Sequence, residues 1–328
     1  MFRIRLIGVV FCLIFIAFAQ LSAQESTPDV RTTPTKTPTP SASATRESNP
    51  NAVFEPLTQA DLTILTGNVQ RPNGIYWFDN NLYTACTGDS TIYEINSESG
   101  ATITYIYGIG NAHTMYAETR NNLLTMWIPD YADNTLKLVT PQGVQRVVDD
   151  LQGPWGISYV DEESFFVTNL LGNNVSRVTR SGENTVVLDG LSSPTGIAHD
   201  GENVFIANNG SSRRAIEWFP LETLASSEMT ATIPEDHVLV SGLQNTTGLQ
   251  LASDGNLYFA YSLANRGVVG RVNPQTCMAN GGCTNADVEI VVYTELTAPL
   301  AGLAISPDMR LFVHTMFSPD LYWARIEG

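Results

Sequence analysis

Lysine is scarce in this chain: Lys36 and Lys137 are the only two in 328 residues, and 17 Lys and Arg against 33 Asp and Glu leave a formal charge of −16. Nucleic acid and anionic membrane both need a basic patch, so neither is expected as a partner. Long apolar runs are also missing. The longest, residues 6–19, has 14 residues, short of the roughly 18 that a spanning helix requires. There are four cysteines, Cys12, Cys86, Cys277 and Cys283, and no further Cys or His lies near the last two to complete the four soft ligands of a zinc site. No stretch of ten residues keeps a helical period, which confines helix to inserts such as residues 221–229.

What the chain does have is a repeat. One phrase recurs six times: an apolar residue, a short polar turn usually holding Pro, a small residue and an aliphatic one. It occupies residues 69–75, 109–115, 151–157, 191–197, 243–249 and 296–303. The small residue is Gly74, Thr114, Gly156, Gly196, Gly248 and Gly302, giving steps of 40, 42, 40, 52 and 54 residues. A period of this size marks a repeat architecture. In the third repeat, short β-rich runs at residues 156–160, 164–168, 175–179 and 185–188 alternate with Asp, Asn, Gly and Ser turns, which predicts four strands per repeat. Four-stranded units set around a channel are β-propeller blades. The glycines fall on the innermost strand, where a residue without Cβ lets neighbouring backbones approach. The blade with Thr114 is expected to pack slightly wider.

The expectation is therefore an all-β, six-bladed propeller. Its last repeat has only 26 residues, enough for three strands, and residues 61–74 supply a lone strand at the other end. The N-terminal strand should complete the last blade and remove an exposed edge. Three segments follow. Residues 1–23, with Arg3 and Arg5 before the apolar run and small residues at Ala17, Ala19 and Ala23, read as a signal peptide. Residues 24–52 are a Thr/Pro/Ser-rich linker unable to bury a core. Residues 53–328 are one propeller. This places the protein as secreted, periplasmic or at the cell surface, without a membrane span after signal cleavage, and monomeric. Cys277 and Cys283 flank Met-Ala-Asn-Gly-Gly and are expected to form a local disulfide; Cys86 is left as a small buried hydrophobe.

In a propeller, the turns entering each inner strand and those joining the second to the third strand ring one end of the channel, the default place for a site. The residues just before the repeat glycines are Asn73, His113, Trp155, Thr195, Thr247 and Ala301. Those just past the second strands are read as Cys86, Trp127, Asn169, Asn208, Tyr261 and Thr315, with His314 one position earlier. The set offers aromatics, amides, hydroxyls and two histidines, but no carboxylate for acid–base work or for a hard metal ion. His113 and His314 are the candidates for catalysis, and each alone reads more readily as a hydrogen-bonded structural histidine. Asp89, Asp130 and Asp133 lie in neighbouring loops, where they read as turn residues. His199 and His237 read as surface residues.

The segments Gly172-Asn173-Asn174-Val175-Ser176-Arg177, Gly88-Asp89-Ser90-Thr91-Ile92 and Ala132-Asp133-Asn134-Thr135-Leu136, with the Pro-x-Gly-Ile turns, resemble the repeats of NHL-type propellers and of the virginiamycin B lyase-like (streptogramin lyase) family. The resemblance covers residues 61–328 and implies a six-bladed propeller. For activity it implies a lyase with a His and Glu constellation around a divalent metal, with His113 and His314 as the counterparts and no matching Glu. The related gluconolactonase and paraoxonase-type propellers hold calcium through an early Glu with internal Asn and Asp, and Glu55 lacks their local pattern. The cofactor so implied is Ca2+ or Mg2+. Two functions remain open: a non-enzymatic propeller that binds a small polar ligand, a carbohydrate or a protein partner, and a metal-dependent lyase or lactonase.

Overall fold

The computed structural model describes residues 55–226, 231–232 and 237–326. The expected signal peptide and linker lie outside the described residues. Among these residues no helix is long and apolar enough to cross a membrane.

Six antiparallel sheets form the blades of a propeller. Their inner strands are Pro72–Phe78, Tyr116–Arg120, Pro154–Asp161, Pro194–His199, Leu249–Leu251 and Gly302–Ile305, one for each repeat. Blade 3 has strands at Pro154–Asp161, Ser164–Asn169, Asn174–Thr179 and Asn184–Asp189, within two residues of the sequence expectation. Tight turns at left-handed residues, such as Asn134 and Asn173 before third strands, set the hairpins.

The repeat glycines act at the inner-strand contacts. A Cβ on Gly74 would fall 2.6 Å from the carbonyl carbon of His113 in blade 2, and one on Gly196 would fall 2.6 Å from the Leu249 Cβ in blade 5. Real Cβ atoms do not come this close to backbone, so only glycine allows these strands to pack. In blade 2, where Thr114 takes that place, the inner strand starts only at Tyr116. Between the blades lie apolar clusters, such as Phe166, Val187, Ile197 and Phe219 between blades 3 and 4.

The ring closes as expected. Thr63–Thr66 adds antiparallel to Leu321–Arg325, with Thr63 opposite Trp323 and Thr66 opposite Leu321. Blades 1, 2 and 6 have four strands, but blades 3, 4 and 5 have a fifth, parallel to the outer strand. Ala231–Thr232 lies on blade 3, Cys283–Thr284 on blade 4 and Leu57–Thr58 on blade 5. Each comes from the segment that precedes the outer strand of the next blade. The long steps of 52 and 54 residues thus hold chain that reaches back to cover a neighbour's edge. Two of these added strands end in the same device: the carboxylates of Asp61 and Asp287 each accept the backbone N–H and the hydroxyl of Thr58 and Thr284, all at 2.8 Å.

Helix occurs at Leu221–Ala225, inside the expected insert, and also at Pro274–Ala279, where Asn273 caps the Thr276 N–H at 2.9 Å. The Cys277–Cys283 disulfide ties this second helix to the strand it places on blade 4. Cys86 is free and buried.

Deleting the chain through Thr66 is expected to abolish cooperative unfolding or lower Tm sharply, whereas deletion through Asn51 leaves Tm unchanged; calorimetry of both forms checks the closure. Gly74→Ala should destabilise by about 1–3 kcal/mol, the range for overpacking a tight contact, as read by denaturant unfolding.

Candidate functional site

Each inner strand is the last in its sheet, so its second edge has no strand partner, and some of its backbone groups are taken by neighbouring blades, Gly196 N–H by Thr247 O and the Ile305 N–H and C=O by the Gln250 side chain. Along that axis runs a cavity of about 470 Å3, lined from His113, Thr114, Trp155, Thr247 and Ala301 at one end to Phe78, Tyr159, His199, Leu251 and Pro307 at the other. The first end is the one on which the sequence places the site. Tyr76, Trp77, Phe78, Tyr116 and Tyr159 give blades 1 to 3 an aromatic wall, and Ile197, Leu249, Leu303 and Ile305 give blades 4 to 6 an aliphatic one. No Asp, Glu, Lys or Arg lines it.

Of the sequence candidates, His113, Trp155 and Thr247 line this cavity. The His113 and Trp155 rings stack, with centroids 3.2 Å apart and planes 6° apart, and Tyr131 meets them edge-on at 5.7 and 6.2 Å. Packing against these rings pushes the His113 pKa down to about 3 by burial, so it is neutral at pH 7. Thr247 turns its hydroxyl away, donating to Leu300 O at 3.0 Å.

The other candidates brace the blades. Asn169 and Asn208 end their second strands and are buried. Their side-chain oxygens accept the backbone N–H groups of Gln152 and Ser192, each at 3.1 Å, from the turn that enters the inner strand. Their amide nitrogens are also used, Asn169 on Asn174 and Ser176 and Asn208 on Arg214 O and Glu217. Asn73 donates to Asn111, and Thr195 donates to Thr246 O at 2.8 Å. Tyr261 lies in the apolar cluster between blades 4 and 5. His314 is wholly buried behind the inner strand of blade 6; burial pushes its pKa down to about 4, against an opposing pull from the backbone of Thr315 and Asn73.

Blade 2 departs from the sequence alignment. Its second strand is Leu123–Asp130, so Trp127 sits in mid-strand opposite Tyr116 rather than at the channel end. The Trp127 ring donates to Glu118 at 3.1 Å and lies under the Arg180 guanidinium at 5.0 Å, clamping blade 2 to blade 3. The strand-end position belongs to Asp130, paired with Ala112. A carboxylate does therefore occupy the ring, but it is consumed: Asp130 accepts the N–H groups of Gly110, Asn111 and Ala132 and pairs with Lys137 at 2.6 Å. Asp130 is thus a brace of the same kind as Asn169 and Asn208.

His199 is a residue the sequence reading placed on the surface. It lines the far end of the cavity, and its Nε2 lies 2.6 Å from Tyr159 O, so that nitrogen carries the proton. His237 stacks on Trp218 at 4.8 Å in the blade 4 insert.

The residues do not fit the divalent cation that the resemblance implies. Among the described residues no group of three or more His, Cys, Asp and Glu is placed to hold a metal. Glu55 lies just before the strand added to the outer edge of blade 5, away from the axis.

Half-buried His113 and buried His314 both have depressed pKa values, so the unfolded chain binds protons that the native state refuses. Stability should fall as pH drops below the unfolded value near 6.5, by about 1.4 kcal/mol per pH unit for each histidine, until the native values are reached. Tm measured from pH 7 to pH 5 checks this, and the His113→Phe, His314→Gln pair should flatten the slope.

No protein-family model matches the sequence. No curated protein matches it either. Among solved structures, a gluconolactonase from Xanthomonas campestris is similar over 81% of this chain and 89% of its own, with a TM-score of 0.60 at 13% identity. Regucalcin from Agrobacterium tumefaciens, a calcium-binding protein, is similar over 84% and 96%, with a TM-score of 0.60 at 14% identity. A streptogramin B lyase is similar over 81% and 97%, with a TM-score of 0.50 at 13% identity. The fold is that of the six-bladed propellers to which streptogramin B lyase and gluconolactonase belong.

Proposed function

We propose that the protein binds a small molecule in its axial channel. The observation that carries this is the cavity of about 470 Å3 walled by all six inner strands, within the range of ligand pockets. Rigid strands position its side chains. Trp155 is the residue that joins the sequence candidates to the cavity. A thermal-shift screen of small glycosides, lactones and aromatic amides should find compounds that raise Tm, because a ligand that binds only the native state stabilises it. Trp155→Ala should then weaken their binding by about 1–3 kcal/mol, as for a buried aromatic anchor. Unchanged affinity with a lowered Tm would make Trp155 a structural plug only.

The second reading is a lyase or lactonase working in the same channel, and the fold shared with a gluconolactonase and a streptogramin B lyase supports it. His113 and His199 are the two ionisable wall residues besides tyrosine that it would have to use. Ring opening of a simple lactone, assayed with and without added Ca2+ or Mg2+ and after chelation, separates the readings. Turnover abolished by His113→Phe favours catalysis. No turnover, with Tm unmoved by chelator, favours binding alone.

A further inference from the structure

We propose that the outer rim of blades 6 and 1 is a docking surface and that its occupant is a second copy of this chain. Such a contact is independent of what the channel binds.

The two blades share one apolar patch. Their outer strands, Thr63–Thr66 and Thr102–Tyr107, meet at the rim: the hydroxyls of Thr66 and Thr102 are 3.0 Å apart, and Gly100 backs onto the Leu65 carbonyl. On these strands Ile64 is 55% exposed, Ile103 60% and Tyr107 66%. The other large apolar side chains in solvent among the described residues, Leu123, Leu171, Leu263 and Phe317, lie on four different blades. Single exposed apolar residues are ordinary, whereas a group of them marks an interaction site.

Two further observations set this rim apart. Blades 3, 4 and 5 have their outer edges covered by a fifth strand, but the outer edge of Thr102–Tyr107 has no strand partner. A bulge at Tyr105 interrupts it, which limits open-ended pairing. Charge, the other common guard of a free edge, is missing. No Asp, Glu, Lys or Arg occurs between Asp61 and Arg71 or between Glu98 and Glu118.

Charge also argues for the occupant. At a formal −16, two copies repel over most of their surfaces. The uncharged rim lets them approach without setting acid against acid. An identical partner brings the same apolar side chains and the same free edge, as an isologous two-fold contact requires. In that contact the two Thr102–Tyr107 strands lie antiparallel, edge to edge, and Ile103 comes near the partner's Tyr107. The dimer replaces the monomer expected from the sequence.

Sedimentation velocity of the purified protein over a wide range of concentration tests this. The expected result is a reversible monomer–dimer equilibrium, tightened by added salt, which screens the repulsion between anionic copies. Ile103→Glu should weaken the dimer by about tenfold or more, because it sets like charges together across the contact. Leu171→Glu, on an exposed loop of blade 3, should leave it within about twofold, as a surface change away from the contact. Hydrogen exchange of the unmodified protein gives a reading that needs no variant to fold. Amides of residues 102–107 should gain protection as concentration rises, and those of Gly143–Val148, the uncovered outer strand of blade 2, should not. A monomer at every concentration would overturn the proposal and leave the patch to a partner of another kind. A dimer weakened by Leu171→Glu but not by Ile103→Glu would overturn it as well, and assemblies growing beyond two copies would contradict the two-fold contact.

Discussion

Everything in this propeller depends on how closely six inner strands approach at the axis. The strands meet where Gly74, Gly156, Gly196, Gly248 and Gly302 present no Cβ to the next blade, and the gap they leave sets the width of the channel. A methyl group at one of these positions would collide with backbone or with a packed side chain, so the interior has little tolerance there. The same contact sets the repeat period that makes the fold readable. Ring closure then follows, because six wedges joined at the axis leave only the last blade short of a strand, which Thr63–Thr66 supplies.

The outer rim follows a different rule. A blade edge is a template for unwanted pairing, and three edges are covered by chain from the next blade, two of them ending in a Thr-x-Ala-Asp cap at Thr58 and Thr284. Blades without an insert or leader in the next outer connection go uncovered. The disulfide Cys277–Cys283 falls in one such insert and stiffens the arm that reaches blade 4.

Much of the fold was legible in the sequence because it rests on spacing. The blade 3 strands, the closing strand and the disulfide all follow from periodicity or local composition. The fifth strands were not, since Ala231–Thr232 and Cys283–Thr284 are two residues long and carry no period. The site was less legible. Asn169 and Asn208 sit at the channel end in both views, yet they are spent on backbone N–H groups of the entering turn, which spacing cannot reveal. Blade 2 misled because Trp127 was read as lying just past the second strand, whereas the strand continues to Asp130 and buries Trp127. The missed signal was Asp130 itself, which reads as a loop residue by spacing but ends the second strand. His199 was missed because its position at the end of an inner strand suggests solvent, while the channel extends to meet it.

The central claim is that the channel between Trp155 and Phe78, rather than the loop face outside His113, is where a ligand resides. A crystal soaked with an uncharged bromoaromatic amide tests it most directly through the anomalous signal of bromine. The account predicts a peak inside the channel, between the Tyr116–Tyr159 pair and Leu249. A peak confined to the loops around Tyr131 and Leu171, with the channel holding only water, would contradict it.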